Sequence, residues 1–71
     1  MTNEKLKKLG INIKNYRKSA RLSQEKMAEL LKKSRNYIGM IERAEVNLPS
    51  ATLFEIAEIL NVKPEKFFEN I

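Results

Sequence analysis

The sequence predicts an all-α fold, a compact bundle of five short helices that forms a single domain over residues 1–71. Apolar residues recur at spacings of three and four along most of the chain, whereas no segment shows the alternation typical of a β-strand. Residues that favour helix N-termini precede several of these apolar runs. Because a domain of 71 residues has a thin core, we expect it to gain further burial by dimerising.

The first helix is predicted at about residues 3–20. One stripe of this segment is apolar, and its other faces are rich in lysine and arginine. Gly10 is a weak point within it, since glycine lowers helix stability. The stripe consists of Leu6, Leu9, Ile13, Tyr16 and Ala20.

The second and third helices are predicted at about residues 24–31 and 35–43. Ser23 and Ser34 precede them and can cap their N-termini through their hydroxyl groups. Only two or three residues separate the two helices, and a connection that short forces a sharp crossing between them.

The fourth and fifth helices are predicted at about residues 51–60 and 64–69. Ser50 is the expected cap of the fourth helix, and Pro64 suits the first turn of the fifth. Phe54 and Ile59 fall outside the main apolar stripe of the fourth helix. They therefore leave apolar surface for the terminal segment or for a second subunit.

Composition excludes several classes of function. The chain has no cysteine and no histidine, which argues against disulfides, thiol or imidazole catalysis and most transition-metal sites. We expect no enzyme activity, no cofactor and no small-molecule ligand. A signal sequence and an apolar membrane span are also absent from the pattern, so we expect a cytoplasmic protein with no membrane partner.

The charge distribution is asymmetric. Residues 1–21 contain seven Lys or Arg and one Glu, a net charge of +6, whereas residues 46–71 contain two Lys and four Glu, a net charge of −2. One basic side suits a polyanionic partner such as DNA. A solvated helix face is the alternative explanation, and charge alone does not separate the two.

The outward face of the third helix carries side chains suited to base recognition. Arginine can bond to guanine O6 and N7, asparagine to adenine N6 and N7, and methionine can contact a thymine methyl group. A polar surface helix would be the simpler interpretation. Tyr37, at the edge of this face, contacts DNA or covers the core with its hydroxyl in water. The predicted base-reading residues are Arg35, Asn36, Tyr37 and Met40.

The order and spacing of residues across the second and third helices favour base recognition over a polar surface helix. The block LSQEKMAELLKKSRNYIGMIERAE at residues 22–45, followed by PSATLFEIAEILNV, resembles the Cro/C1-type family, also called the lambda-repressor-like or Xre family. The resemblance covers roughly residues 9–69. It implies a helix-turn-helix at helices 2 and 3, with the third helix lying in the major groove of double-stranded DNA.

The resemblance also implies roles for individual residues. Gln24 at the start of the second helix is expected to bond a phosphate or the edge of the operator. Arg17 and Glu42 are expected to form a partly buried ion pair that fixes the recognition helix. The predicted phosphate-binding set is Gln24, Lys32, Lys33, Ser34, Arg43 and Asn47.

Four positions depart from the family pattern. Arg21, Lys32 and Ala44 stand where the family usually has glycine. A positive φ at such residues costs about 1 kcal/mol each, so we expect the turns to adjust instead. Gly39 lies inside the third helix. Either it lets the helix approach DNA closely, or it is a tolerated sequence change without a function.

Two-fold pairing on a palindromic operator is expected, because one domain reading a few base pairs discriminates poorly. The short chain resembles restriction-modification controller proteins, while phage repressors and antitoxins share the fold. The resemblance therefore implies a prokaryotic protein that is nucleoid-associated or encoded by a phage. A protein-interaction module, as an antitoxin or co-regulator with weak DNA binding, is the alternative function. The predicted dimer interface is Phe54, Ile59, Phe67, Phe68 and Ile71, although Phe67 or Phe68 could instead complete the monomer core.

Overall fold

The computed structural model describes residues 3–71, so residues 1 and 2 of the predicted domain lie outside the described part. It is all-α, as predicted, and measures 31 × 23 × 21 Å. None of the helices in this part of the chain is long and apolar enough to span a membrane. Residues 3–71 contain four α-helices, which are α1 (Glu4–Ser19), α2 (Gln24–Leu31), α3 (Arg35–Glu42) and α4 (Ser50–Leu60).

The segment predicted as the fifth short helix is a 3₁₀ helix at Pro64–Phe68. Its hydrogen bonds join residues three apart, as in the bond from the Lys66 N–H to the Lys63 carbonyl (2.9 Å). Five residues are too few to form the bonds that stabilise an α-helix. A helical element is therefore present where the fifth helix was predicted, but it is a 3₁₀ helix and not an α-helix.

Side-chain caps begin three of the α-helices. Asn3 Oδ1 accepts from the Leu6 N–H (3.1 Å), Ser23 Oγ from the Lys26 N–H (2.9 Å) and Ser34 Oγ from the Tyr37 N–H (3.1 Å). The predicted cap at Ser50 is wrong. Pro49 is the N-cap of α4 and makes no side-chain cap bond, so Ser50 is the first residue of the helix.

All four α-helices end in a left-handed residue followed by a backbone bond spanning five residues. In α2, for example, Lys32 has φ 59° and the Lys33 N–H donates to the Ala28 carbonyl (2.9 Å). Arg21 and Ala44 also keep φ near 60°. The expectation that these turns adjust was wrong. Satisfying the helix-end carbonyls outweighs a cost of about 1 kcal/mol per residue.

The core draws on every helical element. α3 packs against both α1 and α2, α4 packs against α2, and the 3₁₀ helix packs against α1 and α4. A single cluster of buried apolar side chains joins them. Its members are Leu9, Ile13, Met27, Ala28, Leu31, Ile38, Ile41, Ile56, Ala57, Leu60 and Phe67.

Phe67 is the one predicted interface residue that the structure places inside this core, where it is fully buried. Its ring meets the Tyr16 ring edge-on at 5.6 Å. The Asn12 amide donates to the carbonyls of Phe67 (2.8 Å) and Glu69 (2.9 Å), and the Tyr16 hydroxyl donates to the Glu69 carboxylate. This last bond raises the pKa of Tyr16. Because α1 fixes both the ring and its backbone, Phe67 completes the monomer.

Gly10 allows α1 to approach the end of α3 closely. A Cβ added at this position would lie 2.6 Å from the Glu42 carbonyl oxygen and 2.8 Å from that of Ile41. Real Cβ atoms do not approach backbone oxygens so closely. The glycine that weakens α1 locally is thus needed for the packing that places α3.

Candidate nucleic-acid interface

α3 presents two chemically different faces. Ile38 and Ile41 point into the core, together with the buried carboxylate of Glu42. The predicted base-reading residues occupy the other side. Arg35 and Asn36 are exposed, and Tyr37 and Met40 are half-buried.

The side chains on the outward face contact one another. The Asn36 amide nitrogen lies 3.4 Å from the Met40 sulfur, one turn along the helix. The Lys33 ammonium lies 5.8 Å from the centre of the Tyr37 ring, within the range of a cation–π interaction. The Tyr37 ring also packs against the edge of the core. Tyr37 therefore covers part of the core and can still offer its ring edge to a partner.

A buried ion pair fixes α3 to α1. Arg17 Nε donates to Glu42 Oε2 at 2.6 Å and its Nη2 donates to Oε1 at 3.2 Å, while its Nη1 donates to the Leu22 carbonyl at 2.7 Å. The two side chains are only 8% and 3% exposed. This forked geometry satisfies both charges away from water. It joins helix α1, the turn before α2 and the end of α3.

Gln24 extends this network to the surface. Its amide nitrogen donates to Glu42 Oε1 at 3.0 Å. A carboxylate is an acceptor only, so the amide nitrogen must face inward. The amide oxygen of Gln24 is then left as the acceptor, and its second N–H remains a donor. The prediction of a phosphate contact did not anticipate this bond, since the two residues are 18 positions apart.

A polar concavity of about 250 Å³ lies between α2 and α3. Gln24, Arg35, Asn36, Gly39 and Arg43 line it. It brings together residues that the sequence analysis had divided into base-reading and phosphate-binding sets.

Arg43 enters the concavity by folding back along α3. Its Nη1 lies 2.9 Å from where a Cβ of residue 39 would be. Its Nη2 is 3.0 Å from Glu45 Oε1. The hydrogen bond and charge of Glu45 raise the pKa of Arg43. The sequence analysis missed Glu45 because nothing in the spacing shows which way the Arg43 side chain turns.

The remaining predicted phosphate-binding residues lie at the exposed edge of this region. Lys32, Lys33 and Ser34 form the turn between α2 and α3, and Asn47 lies in the loop after α3. The Ser34 oxygen accepts from the Tyr37 N–H, which leaves its hydroxyl hydrogen free to donate. Two lysines at a helix N-terminus give this edge a positive potential.

Apolar surface is also exposed on α4 and on the C-terminal segment, where Phe54 lines one groove and Phe68 and Ile71 line a different concavity. Phe54 is 55% exposed, Phe68 48% and Ile71 40%, whereas Ile59 is half-buried. A groove of about 650 Å³ runs beside Phe54. Ile11 and Leu30 are further exposed apolar side chains that the sequence analysis did not single out. The groove is lined by Phe54, Ala57, Glu58, Asn61, Val62, Lys63 and Pro64.

Comparisons with known proteins agree on the family of this chain. The pattern of the Helix-turn-helix family matches residues 13–67. The Control protein C.SmaI of Serratia marcescens is 41% identical over 58 residues, which are 82% of this chain and 69% of that protein.

Two solved structures have the same fold. The restriction-modification controller protein C.AhdI from Aeromonas hydrophila is 32% identical, with a TM-score of 0.84 over 89% of this chain and 96% of that one. A transcriptional regulator of this family from Vibrio cholerae is 36% identical, with a TM-score of 0.82 over 93% of this chain but 37% of its own. The chain therefore belongs to the helix-turn-helix family and is a DNA-binding transcriptional regulator, not an enzyme.

Proposed function

We propose that the chain binds a palindromic operator in double-stranded DNA as a homodimer, with α3 of each protomer in the major groove. The outward face of α3 carries this proposal. There, guanidinium, amide and thioether groups project from one short helix whose opposite face is locked into the core. The major groove is about 12 Å wide and admits one such helix.

The proposed contacts divide into two sets. Arg35, Asn36 and Met40 reach base edges from the face of α3, with Tyr37 at its margin. Phosphate contacts fix the register of the helix and carry no sequence information directly. In this proposal they come from the exposed residues at the edge of the site, which are Lys32, Lys33, Ser34 and Asn47.

The apolar surface on α4 and the C-terminal segment supports homodimerisation. Phe54 projects beside the groove that it helps to line, and in a two-fold dimer the same patch faces itself. Glu58 and Lys63 lie at this groove with opposite charges. Across a two-fold axis, each can meet its opposite in the partner. We propose Phe54, Ile59, Phe68 and Ile71 as the interface, without Phe67.

The relatives support a proposal for the system that this chain regulates. C.SmaI is a control protein and C.AhdI is a restriction-modification controller protein. We propose that this chain likewise controls a restriction-modification system in a prokaryotic cytoplasm. A search of the source genome for the operator checks this: the operator is expected beside restriction-modification genes, and its confinement to unrelated promoters would contradict the assignment.

Selection of binders from a random duplex pool at physiological salt tests the proposed function. The expected result is enrichment of an inverted repeat, whose half-site spacing reports the distance between the two copies of α3. Retention without enrichment would mean backbone binding only. Absence of retention would favour the protein-interaction module, which predicts weak DNA binding.

Replacing Arg35 with alanine is expected to reduce discrimination at one or two base pairs of the operator by about 1–3 kcal/mol. The reason is that alanine removes a donor fork from the groove and leaves the core unchanged. Affinities for the selected duplex and for single-base variants measure the effect. Lys33→Ala is the matched comparison. It should weaken all duplexes alike and reduce the salt slope by about one. Equal losses on specific and random duplexes for Arg35→Ala would refute its assignment.

Replacing Phe54 with alanine is expected to weaken the dimer at least about 30-fold, because truncating a central aromatic side chain at an interface costs about 2 kcal/mol or more. Sedimentation equilibrium of the free protein measures the dissociation constant. Ile11→Ala is the matched control, since Ile11 on α1 is 53% exposed against 55% for Phe54. An equal effect of the two substitutions, or none from Phe54→Ala, would remove α4 from the interface.

A further inference from the structure

The position of Arg43 differs from that of a side chain at the edge of the interface. We infer that Arg43 contacts a base edge in the major groove, from the place that Gly39 leaves empty on α3, and that Glu45 orients it there. This inference rests on the proposed function. It replaces the phosphate role that the sequence suggested for Arg43.

The first observation is the path of the side chain. Arg43 caps the C-terminal end of α3, yet its Nη1 lies 2.9 Å, and its Cζ 3.6 Å, from the Cβ position of residue 39. The guanidinium has therefore turned back by one helical turn. It lies on the outward face at a level where α3 has no side chain of its own.

The second observation is which residues surround the Arg43 guanidinium. It lines the same concavity as Arg35 and Asn36, the two strongest candidates for base contacts, and as Gln24. A phosphate contact needs a group at the rim of the interface, where the two DNA backbones pass. A guanidinium between the base-reading side chains is instead directed at the floor of the groove.

The third observation is the partner of the guanidinium. Nη2 bonds to Glu45 Oε1 at 3.0 Å, and the side chains of Arg43 and Glu45 are 56% and 52% exposed. A carboxylate beside the guanidinium offsets its charge and so weakens its attraction to a phosphate backbone. One of the five N–H donors is occupied, and four remain for a bidentate contact with guanine O6 and N7. The Arg43–Glu45 pair thus has no net charge, while the guanidinium keeps the planar donor geometry that a bidentate contact needs.

Two substitutions test this inference by independent routes. Arg43→Lys keeps the positive charge and removes the planar fork. Gly39→Ala keeps Arg43 but places a methyl group where Nη1 lies. The fold should tolerate this methyl group, because it meets only the flexible end of Arg43 and alanine favours the helix. Arg21→Lys is the control, since Arg21 is an exposed arginine at the end of α1 that we do not place in the interface.

The measurements are affinities for the duplex selected by the wild-type protein, for variants of it with one base pair changed, and for a random duplex. Both Arg43→Lys and Gly39→Ala are expected to lose preference at the same base pair, by about 5- to 150-fold. Affinity for the random duplex and the salt slope should stay unchanged. Arg21→Lys should leave the preference intact.

The outcomes separate this inference from the function on which it depends. If the wild-type protein selects no inverted repeat, the proposed function itself fails. If it selects one, two results would overturn the role of Arg43. One is that both variants keep the full preference at every position. The other is that both lose affinity equally on selected and random duplexes, as a phosphate contact predicts.

Discussion

Replacing Glu42 with alanine is expected to lower the free energy of unfolding by about 3–5 kcal/mol. The substitution leaves the guanidinium of Arg17 buried without its counter-charge, and it removes the acceptor of the Gln24 amide. Native proteins have free energies of unfolding of only about 5–15 kcal/mol. The substitution therefore removes a large part of the stability of this domain. Urea unfolding followed by circular dichroism measures the change.

The control is an ion pair of the same charge type on the surface. Lys26 and Glu29 form a bridge of 3.4 Å on α2 with side chains that are 52% and 70% exposed. Because water screens such pairs, Glu29→Ala should cost less than about 1 kcal/mol. If Glu42→Ala and Glu29→Ala have similar effects, the buried pair does not hold α3 in place.

Replacing Phe67 with alanine is expected to cost about 3–5 kcal/mol, the usual range for a phenylalanine removed from a core. The ring is fully buried and meets the Tyr16 ring, and the backbone carbonyl of Phe67 accepts a hydrogen bond from the Asn12 amide. The cavity cannot close easily, since Asn12 and Tyr16 of α1 hold the chain at Phe67 and Glu69 through hydrogen bonds. Unfolding curves at several protein concentrations measure this loss and should shift equally at all of them.

Phe68→Ala separates a core role from an interface role. Phe68 is adjacent in sequence but 48% exposed, so its truncation should have little effect on the stability of the monomer. Its effect should instead appear in the dimer dissociation constant. If Phe67→Ala changed dimerisation while the unfolding of the monomer stayed the same, the assignment of Phe67 to the core would be wrong.

The helices were predictable because local signals agreed with each other. Ser23 and Ser34 each precede a run with helical apolar spacing, and α2 was predicted with the bounds that the structure shows. The turns were not predictable from the same rules. Arg21, Lys32 and Ala44 disfavour a positive φ by themselves, so only the closure of each helix end and the packing around it decide their conformation.

The exposed side chains of α3 were predictable from the sequence, whereas their contacts with other residues were not. The outward position of Arg35 and Asn36 follows from which side of α3 is apolar. The Arg17–Glu42 pair came from the family resemblance alone, since 25 positions separate the two residues and no spacing rule links them. The inward turn of the Gln24 amide and the backward turn of Arg43 depend on three-dimensional contacts with Glu42 and Glu45.

The two faces of α3 also matter for protein engineering. The side that anchors the helix uses Ile38, Ile41 and Glu42, whereas Arg35 and Asn36 are exposed to solvent. Exposed substitutions away from special backbone sites usually change stability by less than about 0.5 kcal/mol. New combinations at positions 35 and 36 can therefore be screened for altered operator preference on an unchanged scaffold, with few variants lost to misfolding.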